Sequence, residues 1–295
     1  MFHENSFSEA HREAKDEGRE KGKNVSVQFV FRRHEEPGKT PTGMSADFLT
    51  EKGIAGAKQR GHDLANSGEY VMFFGSKGVQ RARETAGHMI GTFRDEAGAA
   101  ALINKPMTAE DQQRAGHGEL PPGDVAIYRS SDLNPVPNFA KINEAAKAEG
   151  AKTIDESVQY WLDNPEKAKE LAAGTPEETA AELAHRLGLG IKMSGKLYED
   201  TNLRVENLTH GPKLEALLHE VMIDDTGKRG FGRLEEMGGM FQPGEDVNLA
   251  IHRNDEGELD LGGIDFRGKH YGVDMERLDE LRDLYRKMQE EKRKK

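Results

Sequence analysis

Apolar positions along this chain change their spacing in a regular way, and each spacing predicts an element. Residues 24–31 (NVSVQFVF) are β-branched and aromatic and predict a first strand. Residues 32–42 are polar and carry Pro37, Gly38 and Pro41, which predicts a loop. A helix is predicted over 49–65, with Thr50 as its N-cap and Ile54, Ala57 and Leu64 on its apolar face. Residues 70–74 (YVMFF) are a short continuous apolar run, the pattern of a buried strand. A helix over 79–93 and a third strand over 125–128 (VAIY) follow. From 139 to about 197 the chain is rich in Ala, Glu and Lys and predicts helices, broken near Asn164-Pro165 and Gly174-Thr175-Pro176. A weaker strand is predicted over 203–208. The helix over 212–222 places Leu214, Leu217, Leu218 and Val221 at i, i+3, i+4 and i+7. Residues 247–252 and 259–266 flank Asn254-Asp255-Glu256-Gly257 and predict a hairpin. An amphipathic helix over 275–290 closes the pattern.

Strands that alternate with helices predict an α/β fold: a three-layer α/β/α sandwich with a mostly parallel sheet and a closing antiparallel hairpin. The main domain is expected over 24–275, followed by a terminal amphipathic helix over 276–295. Residues 1–23 are a mixed-charge run with few apolar positions and are expected to be a disordered tail. The stretch of about 95–200 is longer than one crossover needs. It is expected to be a helical cap, and caps set substrate choice.

Composition narrows the function. The chain has 295 residues and no cysteine, which excludes disulfide scaffolds, thiolate metal sites and cysteine nucleophiles. No run approaches the roughly 18 apolar residues of a membrane helix. Residues 1–23 lack the apolar core of a secretion signal. The expectation is a soluble, cytoplasmic protein. Its 42 basic against 53 acidic residues leave a net charge of −11, which argues against nucleic-acid and membrane partners in general.

A basic pocket is nonetheless indicated at three strand ends. The first runs into Arg32-Arg33-His34-Glu35-Glu36. The second ends at Ser76 and leads to Arg81. The third ends at His210-Gly211 before the Leu214 helix. In a parallel sheet such ends share one edge, where ligands bind. Converging there, two arginines, two histidines and helix N-termini make an anion site suited to a phosphoryl group. Neutral histidine can attack phosphorus while fixed donors stabilise the oxygens.

At these residues the chain resembles the histidine phosphatase (phosphoglycerate mutase-like) superfamily. That family's Arg-His-Gly-Glu is matched by Arg33-His34-Glu35-Glu36. Its Leu-Thr-x-x-Gly helix start is matched by Leu49-Thr50-Glu51-Lys52-Gly53, and the continuation by Gln59-Arg60-Gly61. Its Ser…Arg-Ala-x-x-Thr-Ala helix is matched by Ser76 and 81–86, and its late His-Gly by His210-Gly211. The resemblance implies that His34 is a nucleophile forming phosphohistidine. Arg33, Arg81 and His210 would then hold the phosphoryl oxygens, with no metal or organic cofactor. The substrate would be a phosphorylated small molecule or phosphoprotein. A non-catalytic phosphate-binding module and a mutase are the alternatives.

Two positions depart from the pattern. Glu35 stands where the family has glycine, and its carboxylate would repel a phosphate unless it points away. The family's acid has several candidates: Asp132 after the third strand is preferred, with Glu36 and Glu96 as competitors. Among the other histidines, His62 and His219 read as structural. The Gly190 to Lys196 near-match to a phosphate loop follows a helix instead of a strand, and Val221 to Asp224 is expected to continue a helix.

Overall fold

The computed structural model of the chain describes residues 20–39, 45–97 and 127–294. Eight strands form one sheet. The parallel half comprises β1 (Val25–Arg33), β4 (Tyr70–Ser76), β5 (Tyr128–Ser130) and β6 (Asn202–Thr209) in the order β5-β4-β6-β1. Beyond β1 come β8 (Asp246–Arg253), β9 (Leu259–Phe266), β10 (Lys269–Val273) and β7 (Met222–Ile223), each antiparallel to its neighbour. Tracing directions across these pairs, β9 and β7 run with β1. Six of the eight strands therefore share one direction, and the sheet is mostly parallel, as expected.

Helices cover both faces. α1 (Glu51–Ala65) and α2 (Gln80–Ala97) pack together on one. α6 (Pro176–Ser194), α7 (Gly211–Val221) and α8 (Met275–Lys294) pack on the other. The two-residue period of the strands sorts the core between them. In β4, Val71 and Phe73 join the cluster under α1 and α2, while Met72 and Phe74 join the one under α6 and α7. α1 begins as expected: the Thr50 hydroxyl accepts from Gly53 N–H at 3.0 Å.

Several expectations change. The stretch 176–194 is a structural layer and not part of a cap. α6 lies directly on the sheet, and a side chain at Gly190 would come within 2.5 Å of the Phe29 ring. Its Ala and Gly residues let helix and strand approach that closely. Before it lie α3 (Phe139–Ala148), α4 (Ile154–Asp163) and α5 (Pro165–Glu170). Trp161 of α4 is buried in the same core and donates to the Gly174 carbonyl at 2.9 Å. Residues 98–126 of the expected cap lie outside the described residues, as do 1–19 of the expected tail. Residues 20–22 are docked: Gly22 N–H donates to the Leu197 carbonyl at 2.8 Å, and Glu199 N–H to the Glu20 carbonyl at 2.9 Å.

The third strand spans Tyr128–Ser130, later than expected. The polar loop after β1 contains a short strand, β2 (Pro37–Lys39), paired with β3 (Ser45–Leu49). Met222-Ile223 leaves the helix to pair with β10. Strand β10 was not foreseen. It follows β9 through Arg267-Gly268, whose φ values of 48° and 72° fit a two-residue hairpin turn. Arginine is an unusual residue for that turn, so the local signal is weak. Among the described residues, no helix is long and apolar enough to cross a membrane.

Candidate active site

β1 carries two consecutive arginines, and strand alternation sends them to opposite faces. Arg32 is buried on the α1/α2 face. It bonds Glu206 at 3.1 Å, pairs with Asp246 and donates to the Gly244 carbonyl at 3.0 Å. Arg33 turns to the other face, toward the start of α7. A side chain at Gly211 would lie 3.5 Å from its guanidinium carbon. The Nη1 of Arg33 donates to the Phe241 carbonyl.

His34 follows at the strand end. Its backbone N–H donates to the Thr209 carbonyl at 3.0 Å, which keeps the ends of β1 and β6 together. His210, the N-cap residue of α7, is thereby brought beside it, with ring centroids 5.1 Å apart at 63°. The Nδ1 of His34 lies 2.7 Å from the Glu35 carbonyl oxygen. A carbonyl only accepts, so Nδ1 carries the proton and Nε2 keeps its lone pair. That lone pair receives Arg81 Nε–H at 3.0 Å.

Burial pushes His34 down to about 3, and the Arg81 and Arg33 charges push the same way against the Glu35 carbonyl bond. Burial likewise holds His210 well below the usual histidine range, helped by His34, Arg81, Lys213 and Arg33. Both rings are therefore neutral near pH 7. His210 Nε2 is buried with no hydrogen-bond partner among the described residues. Two neutral imidazoles thus sit between two guanidinium groups.

Glu35 does not oppose this charge. Its carboxylate turns toward α1, where Arg60 Nε holds it at 2.7 Å. A side chain at Gly56 or Gly244 would come within 2.9 or 2.6 Å of that carboxylate. The backbone N–H of Glu35 donates to Thr85 Oγ1 at 3.1 Å, and the same hydroxyl donates to the Arg81 carbonyl at 2.9 Å. Thr85 therefore couples the backbone beside His34 to the α2 turn that carries Arg81.

The expected acids go elsewhere. Asp132 is buried and accepts from the Tyr285 hydroxyl of α8 at 2.8 Å, and Tyr285 in turn stacks on His185 at 4.0 Å. Glu36 pairs with Lys52 at 2.8 Å, and Glu96 pairs with His62 between α1 and α2. Ser76 donates to Asn134 Oδ1 at 2.8 Å and ties the end of β4 to the segment after β5. The structure brings His34, Arg33, Arg81 and His210 together and places Asp132 in the Tyr285 cluster.

Two carboxylates not singled out in the sequence lie on the Arg81 side. Asp47 Oδ1 is 3.6 Å from Arg81 Nη1 and is exposed at the rim. Glu84, one helical turn after Arg81, accepts from Leu49 N–H at 2.9 Å, and burial raises it above the usual carboxylate range. The spacing of Arg81 and Glu84 was a usable signal for the second. Asp47 had none, because only the pairing of β2 with β3 brings it there. Among the described residues, no group of three or more His, Asp or Glu side chains is arranged to hold a metal ion.

Fold and site together define a class: a three-layer α/β/α protein whose parallel strand ends present two neutral histidines flanked by two arginines. The chain is similar to the solved phosphoglycerate mutase from Bacillus anthracis str. Sterne, with 16% identity, a TM-score of 0.46, and 88% of this chain and 98% of that one covered. It is also similar to a mycobacterial glucosyl-3-phosphoglycerate phosphatase, with 17% identity, a TM-score of 0.49, and 82% and 99% covered. No family model and no curated protein matches the chain. At such identities an activity does not carry over from one chain to another, so it has to come from the site.

Proposed function

We propose that this protein is a phosphomonoester hydrolase in which His34 is the nucleophile. One observation carries the reading. The His34 ring has Nδ1 committed to a carbonyl, while its Nε2 lone pair accepts from Arg81 Nε–H beside the His210 ring. Attack of Nε2 on phosphorus forms an N–P bond as the P–O ester bond breaks, and the leaving alcohol takes a proton. Water then breaks the N–P bond, releases phosphate and restores the ring. Arg81 exchanges its bond to Nε2 for the phosphoryl oxygens, which Arg33 and His210 also hold.

The test is hydrolysis of an aryl phosphate by the full chain in EDTA, with trapping of an acid-labile phosphoryl adduct on His34. The expected result is turnover unaffected by EDTA, with one adduct per chain. Turnover that EDTA abolishes would overturn the reading. The turn of Asp132 to Tyr285 favours one second reading, a module that binds a phosphorylated small molecule or phosphoprotein without turnover. It predicts phosphate binding with no adduct.

Asp47, exposed beside Arg81, is the carboxylate we assign to relaying a proton from solvent to the leaving group. Asp47→Asn is expected to lower kcat about 100-fold for an alkyl phosphate, whose leaving group needs a proton. For an aryl phosphate with a stable leaving anion, the loss should be within a few-fold. Equal losses on the two substrates would remove Asp47 from this role.

A further inference from the structure

A second carboxyl lies deeper, behind Arg33. Glu215 is on the second turn of α7 and has no exposed surface. Its Oε1 accepts from Phe241 N–H at 2.8 Å, while Arg33 Nη1 donates to the carbonyl of that same residue. The two side chains therefore grip Phe241 from its two ends. Each keeps an orphan: neither Glu215 Oε2 nor Arg33 Nε, both buried, has a hydrogen-bond partner among the described residues.

A buried oxygen without a donor is tolerable on a neutral carboxyl and costly on an ionised one. If Glu215 loses its proton, the cation best placed to compensate is Arg33. Among the charged groups around Arg33, Glu215 acts on it most strongly, ahead of Asp155 and Glu245. The groups that face Glu215 from other elements are Arg33 of β1, Asp155 of α4 and the Phe241 N–H. Asp155 accepts from Met240 N–H at 3.1 Å and adds a second negative charge beside the same loop.

We propose that Glu215 is a positioning residue for Arg33: while protonated it leaves the guanidinium fork open to a tetrahedral dianion, and once ionised it draws the fork back and closes the site to anions. Burial supports this order of events by pushing Glu215 up to about 8, against the pull of the backbone N–H groups and Arg33. Because linkage is reciprocal, an anion held by Arg33 also strengthens the hold of Glu215 on its proton. The inference rests on the phosphoryl reading of the pocket.

The experiment measures sulfate binding to the full chain by calorimetry. Sulfate is a tetrahedral dianion that keeps its charge over about pH 6 to 10, so any change in affinity belongs to the protein. Wild-type affinity is expected to fall about tenfold between about pH 7 and 9.5. Glu215→Gln, which keeps an acceptor for Phe241 N–H and cannot ionise, is expected to lose that fall. In turnover, the KM of the wild type for an aryl phosphate should rise above about pH 8 while kcat changes little. A flat wild-type binding profile overturns the proposal without need of a variant. So does the same alkaline fall in Glu215→Gln. Absence of sulfate binding at every pH overturns the phosphoryl reading itself, and the proposal with it.

Discussion

His34→Ala is expected to lower kcat for an aryl phosphate by about 10^4-fold or more, because the variant has no atom to form the covalent intermediate. Its thermal unfolding should stay close to that of the wild type. The ring makes two hydrogen bonds, one to its neighbour's carbonyl and one from Arg81 Nε–H, and the N–H that ties β1 to β6 belongs to the backbone and survives the change. The pH profile adds a constraint. An ordinary histidine nucleophile would cost activity as pH falls through about 6.5. Burial and two arginines hold His34 at about 3, so kcat/KM should show no loss between about pH 7 and 5 from protonation of this ring. A loss of less than about 100-fold in His34→Ala, or a wild-type acid limb near 6.5 beyond the substrate's own titration, would contradict the assignment.

Loss of the other strand arginine's partner is expected to act on folding and not on chemistry. Glu206 is fully buried between Arg32, at 3.1 Å, and Arg204, at 2.8 Å. Glu206→Ala leaves Arg32 buried without its main counter-charge, which costs about 3–5 kcal/mol of stability. Denaturant unfolding would show it as a lower midpoint. The pH dependence has a definite sign. Burial alone would raise this carboxyl, but the Arg32 and Arg204 charges outweigh it and hold Glu206 down at about 2. The stability tied to that depression is therefore present above about pH 4.5 and is lost as pH falls toward 2. The wild type should lose stability over that range more steeply than Glu206→Gln does. Parallel acid profiles in the two proteins would contradict the ion pair's role.

These two predictions concern the adjacent strands β1 and β6, and they separate what was legible from what was not. Arg33-His34 at the end of an apolar run, Thr50 before a helical pattern, Arg81 at a helix start and His210-Gly211 after a strand are all local features. Strand ends and helix starts are marked by residues adjacent in sequence, so a motif there keeps its meaning in the fold. The parallel sheet then does the rest: β1 and β6 lie side by side, and His34 and His210 meet because both strands end at the same level.

The partners of the carboxyl groups were not legible. Asp132 follows a strand as an acid might, yet it bonds a tyrosine 153 positions away on the last helix. Glu35 adjoins the nucleophile in sequence, yet α1 supplies the arginine that turns it aside. Asp47 reaches the pocket only through a three-residue strand, and Glu215 matters only because the loop at Phe241 folds between it and Arg33. The same holds for α6, whose Ala and Gly residues look like cap sequence until the sheet they press against is known.

The amino-acid sequence by itself determined the alternation of strands and helices, the three strand ends and the four basic side chains at or just after them. Periodicity and capping are properties of neighbouring residues, and they carry that much. Only the tertiary structure decided where each buried charge finds its counterpart, which strand closes the sheet and which helix lies against it. Those outcomes depend on contacts between residues far apart in the chain. They are chosen by the cost of burying an unpaired charge and by close packing, and neither leaves a local signature.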